Sequence, residues 1–84
     1  MFVKCLFIES AFEHNVMEID IRTAFERPLF DGLIIGYQNK FLLTGFDTKG
    51  NLLEIMYNMV DEETVQIFHA MPCRNKYRAF RNQY

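Results

Sequence analysis

The sequence holds 84 residues, half of them hydrophobic and 15% aromatic, with nine Phe and no Trp. That is enough chain for one modest core and not for a second domain. No apolar stretch approaches the roughly 20 residues of a membrane span, and Glu9 breaks the apolar start where a signal peptide needs an unbroken run, so a soluble, cytoplasmic protein is expected.

The net charge of -2 conceals an asymmetry. Residues 1–72 carry five bases against eleven acids, and residues 73–84 carry four bases and no acid. A basic segment therefore ends an acidic body, suited to phosphates or to an acidic surface of its own molecule or a partner.

In chain order, residues 2–8 are compatible with a strand, but Ile8, Ala11 and Phe12 recur at helical spacing, which predicts a helix over about 6–14 ended by Asn15. A second helix is predicted over 17–26, with Met17, Ile21, Ala24 and Phe25 along one face and Pro28 as its stop. The period then changes to two. Leu29 to Tyr37, Phe41 to Phe46, Leu52 to Val60 and Thr64 to Ala70 read as strands, with Asp31-Gly32 a bulge or turn in the first. They are joined by Gln38-Asn39, by Asp47-Thr48-Lys49-Gly50 and by Asp61-Glu62-Glu63. Pro72 stops the last strand, and Cys73 to about Arg81 reads as a helix with Arg74, Tyr77, Arg78 and Arg81 on one face. The expected fold is α+β, with two N-terminal helices packed on a four-stranded antiparallel meander and a short C-terminal helix.

Register follows from the turns. Pairing Phe46 with Asn51 and Val60 with Thr64 puts Leu42, Leu53, Ile55, Tyr57, Met59, Val65, Ile67 and His69 on the helix-facing side. Phe41, Leu43, Leu52, Glu54, Met56, Asn58, Gln66 and Phe68 fall on the other. This second face is too apolar for water alone and is expected to be covered by a partner, a second copy or the C-terminal helix.

Several side chains bear chemistry. His69 is a candidate general acid or base; the plainer reading is a structural histidine opposite Ile55. Arg74, Arg78 and Arg81 with Tyr77 suit a phosphate backbone and the charge that builds when it is cleaved; the plainer reading is a solvated charged helix. Glu54 in a central strand reads first as an ion pair with a C-terminal arginine, and second as a base in a cleft. His14 is read as capping the carbonyls of the first helix. Cys5 and Cys73 read as reduced thiols, and with two scattered histidines they give no metal-ligand spacing, so no metal or cofactor is expected.

One series of motifs points further. His14-Asn15-Val16, Ala24-Phe25-Glu26-Arg27-Pro28, Gly50-Asn51-Leu52-Leu53-Glu54-Ile55 and Ile67-Phe68-His69-Ala70-Met71-Pro72, followed by Arg74, Lys76 and Tyr77, resemble the BrnT-like toxins of bacterial type II toxin-antitoxin systems. The resemblance spans about residues 8–78. It implies a RelE-like fold and metal-free endoribonucleolytic cleavage of mRNA, shut off by an antitoxin, commonly of ribbon-helix-helix type. It implies catalytic roles for His69, Arg74, Lys76 and Tyr77, and substrate contacts for Arg78, Arg81 and Glu54. Glu13 and Met71 stand where such proteins usually carry bases, which lowers the positive charge of the expected RNA cleft. The alternative is a non-enzymatic interaction module, a degenerate toxin or a small protein that forms a homodimer through its second sheet face.

Overall fold

Proline lacks an amide hydrogen and disfavours helix in the residue before it, and at Arg27-Pro28 the chain passes from helix to sheet. In the computed structural model, which describes residues 4–80, helix α1 is Glu18–Glu26 and strand β2 is Pro28–Leu33. Strand β1, Lys4–Phe7, and a 3-10 turn, Glu9–Phe12, precede them. Strands β3, Phe41–Phe46, β4, Leu52–Met59, and β5, Thr64–Pro72, follow, and then the single-turn helix α2, Asn75–Arg78. The sheet order is β1-β5-β4-β3-β2, antiparallel throughout except that β1 runs parallel to β5. The class is α+β as expected. The sheet, however, is five-stranded and mixed, and the meander forms four strands of it.

The first predicted helix is the cause of that difference. Residues 4–7 pair with Thr64 to Ile67 and place Cys5 and Phe7 against the core. An isolated short helix is marginal in water, whereas the open edge of β5 offers a full set of backbone partners. Only the 3-10 turn is left of the expected helix, while residues 2 and 3 lie outside the described residues. The 3-10 turn covers β5 beyond the end of β1, with the Ile8 amide donating to the Ile67 carbonyl at 3.1 Å and the Ser10 hydroxyl to that of Phe68 at 2.6 Å.

Helix α1 forms where expected. Glu18 and Asp20 occupy its first turn, favourable to the helix dipole, and Arg22 pairs with Glu18 at 2.9 Å. Ile21 and Ala24 are fully buried against the sheet. Gly45 allows this approach, because a Cβ there would lie 2.4 Å from the Ala24 carbonyl oxygen. The predicted first strand is too long at its end: it stops at Leu33, where the Ile34 to Tyr37 turn begins, with Gly36 at φ 94°.

The β3–β4 register differs by one residue from the expected one, with Phe46 opposite Leu52 and Leu43 opposite Ile55. The Asp47 carboxylate takes the amides of Lys49 and Asn51 at 2.9 and 2.8 Å, which draws Asn51 out of the ladder and into the turn. Gly50 there has φ 83°. Phe41 and Leu43 thereby join the core, and Leu42 moves to the other face. The core is Ala11, Ile21, Ala24, Leu43, Leu53, Ile55, Tyr57, Val65, Ile67 and Ala70.

A second departure lies in β5. Tyr57 opposes Ile67, as the turns predict, but Met56 opposes His69, leaving Phe68 as an unpaired bulge residue. The bulge reverses the phase of the strand, so Ala70 takes the core position expected of His69 and His69 turns to the opposite face. The strand does stop at Pro72, which is itself its last residue, two beyond the expected end at Ala70. Pro72 pairs with Leu53, and because the Cys73 amide donates inward to Leu52 at 2.9 Å, the Pro72 nitrogen falls on the outer side, where no donor is needed.

A histidine, glutamate and arginine cluster on the second sheet face

On the face away from α1, β4 contributes Glu54 and the bulged β5 contributes His69. The chain then leaves β5 through Pro72 and Cys73, and Arg74 folds back over the sheet. Arg74 is extended (φ -75°, ψ 154°), so it precedes α2 and does not share its face. Arg74 and Arg78, two of the three guanidinium groups predicted on one helical face, are therefore not aligned. Arg74 turns to Glu54, Arg78 donates from Nε to the Cys73 carbonyl at 3.1 Å, and Arg81 lies outside the described residues.

Glu54 has no exposed surface. Its Oε1 accepts the Arg74 amide at 2.8 Å and Nε at 3.0 Å, and its Oε2 accepts Arg74 Nη2 at 2.6 Å and meets His69 Nε2 at 2.9 Å. Burial pushes the Glu54 carboxyl up, but the hydrogen bonds from Arg74 and His69 outweigh it and hold the group below the usual carboxylate range. The carboxylate is thus ionised and accepts, so Nε2 of His69 donates and the lone pair of a neutral imidazole sits on Nδ1. The ion pair read from the sequence is present. Glu54 itself offers no atom to a substrate and acts by fixing its two neighbours.

Of the other candidate residues, Tyr77 stands beside Arg74, with the guanidinium carbon 5.5 Å and Lys76 Nζ 5.0 Å from its ring centroid. Lys76 is exposed. The structure therefore brings His69, Glu54, Arg74, Lys76 and Tyr77 into one neighbourhood, with Arg78 turned toward a cleft at the end of the sheet. That cleft, of about 790 Å³, lies between residues 14–20 and the β3–β4 turn. Phe80 packs edge-on against Phe30 at 5.1 Å, so the C-terminal segment covers part of the second face. This is one of the three coverings expected.

His14 is the residue whose surroundings the sequence did not foreshadow. It caps no helix. Its ring stands edge-on to that of His69, with centroids 5.7 Å apart, and it lines the cleft. The following residue, Asn15, is left-handed at φ 61°, as its predicted terminator role requires.

No protein-family model, no curated protein and no solved structure matches this chain. Among the described residues no group of three or more His, Cys, Asp or Glu side chains could hold a metal ion, and no helix is long and apolar enough to cross a membrane.

Proposed function

We propose that this chain is a metal-free endoribonuclease of the BrnT-like, RelE-like toxin type, acting on single-stranded RNA such as mRNA. The observation that carries this reading is the His69 imidazole, held at Nε2 by a buried carboxylate and set beside a partly exposed arginine. The arrangement leaves Nδ1 as a base for a ribose 2′-hydroxyl. Arg74 keeps 43% of its side chain exposed despite its pairing, and with Lys76 it supplies positive charge for the phosphate as the transition state gains negative charge. Tyr77, between these two cations, offers a ring on which a base stacks. An antitoxin, such as a ribbon-helix-helix protein, would silence the site by covering Lys76 and Tyr77.

The test uses purified full chain and a 5′-labelled single-stranded RNA. Cleavage by the wild type and a loss of about 100-fold or more in His69→Gln, with matching thermal melts, is the expected result. Equal rates in the two proteins would sink the reading.

A second reading is favoured by one observation, the engagement of both Nε and Nη2 of Arg74 by Glu54. On that view the cluster is a structural clasp in a non-enzymatic interaction module. The wild type would then bind a protein partner and leave the labelled RNA intact.

A further inference from the structure

Cleavage of RNA by its own 2′-hydroxyl needs two proton transfers, and the Glu54-oriented His69 accounts for one. We propose that His14 is the second proton carrier, the general acid that protonates the leaving 5′-oxygen. This rests on the ribonuclease reading above.

Two independent observations support it. The His14 ring lies edge-on to His69 at 5.7 Å, so the two imidazoles border one small region of surface although they come from distant parts of the chain. His14 also lines the cleft at the end of the sheet, which His69 does not. His14 thus joins the base to a space large enough for a nucleotide, where Phe46 offers a partly exposed ring and Lys49 a cation. The nucleotide on the leaving side occupies that cleft, with its 5′-oxygen at His14. Histidine is the side chain that exchanges protons near neutrality, and two held side by side can carry opposite protonation states.

In the balanced step, the 2′-oxygen forms a bond to phosphorus and its proton passes to Nδ1 of His69. The bond from phosphorus to the 5′-oxygen breaks, and that oxygen takes a proton from the His14 imidazolium. The products are a 2′,3′-cyclic phosphate and a 5′-hydroxyl end. No further reactant is consumed.

The test compares two substrates, an oligoribonucleotide and uridine 3′-(4-nitrophenyl phosphate), whose phenolate departs without protonation. His14→Ala is expected to slow the oligonucleotide by about 100-fold and to leave the nitrophenyl ester nearly unchanged, whereas His69→Gln slows both. Added imidazole restores part of the oligonucleotide rate to His14→Ala. The exposed position of His14 favours an intact fold, which melting curves check, and His14→Gln serves as a second variant. Full oligonucleotide activity in both His14 variants, or an equal loss on the two substrates, overturns the proposal while leaving the ribonuclease reading in place. A wild type that cleaves neither substrate removes both.

Discussion

A carboxylate with no surface in water carries a desolvation penalty of several kcal/mol unless charge and hydrogen bonds replace the lost water. Glu54 has four donors in place of water, three of them from Arg74. Because the folded-state value of Glu54 is depressed, its contribution to stability is complete above pH 4.5, the ordinary glutamate value, and is lost as pH falls below it toward the lowered one. Thermal melts between pH 7 and pH 3 should show this loss in the wild type and a flatter profile in Glu54→Gln. Removal of the other partner has a larger effect. Arg74→Met leaves a buried carboxylate facing His69 alone and should lower the melting temperature more than Glu54→Gln does, and the double variant should recover part of the difference. Additive losses would mean that the pair is not coupled.

Among the elements, those held by local chemistry were legible in the sequence. Helix α1 has its apolar face and its proline stop, and the Asp47 to Gly50 turn has a glycine at positive φ. Nonlocal features were less legible, the ion pair of Glu54 with Arg74 excepted. The strand β1 depends on an edge contributed by residues far along the chain, and the bulge at Phe68 carries no glycine to mark it. The turn chemistry even misled, because Asp47 pulls in Asn51 and moves β3 by one residue. The site suffered most, since His69 turns toward Glu54 only through the bulge. Gly45 was likewise invisible, having no positive φ and no turn. Its role predicts that Gly45→Ala forces α1 off the sheet and destabilises the fold by about 1–3 kcal/mol, the usual range for overpacking, measurable by urea denaturation. A neutral effect would show that α1 has slack at that contact.

For the whole molecule, the acidic body limits how firmly any polyanion is held. Basic side chains near the cluster are few, and Arg74 is partly neutralised by Glu54. If two or three cations meet phosphates, log affinity for single-stranded RNA should fall with log salt at a slope of about -2. A slope much steeper, read by fluorescence anisotropy from 50 to 300 mM salt, would mean that a wider surface takes part. The parallel pairing of β1 with β5 has a consequence for synthesis. Lys4 has its partner at Thr64, and the histidine, glutamate and arginine of the cluster come from strands and a loop in the second half of the chain. During translation the first strand must wait, unpaired, until residues 64–67 have emerged, and Arg74 arrives later still. Until then the cluster is incomplete, so under the proposed function a chain still being made would be inert toward RNA, and competence would arise in one step when Arg74 closes on Glu54.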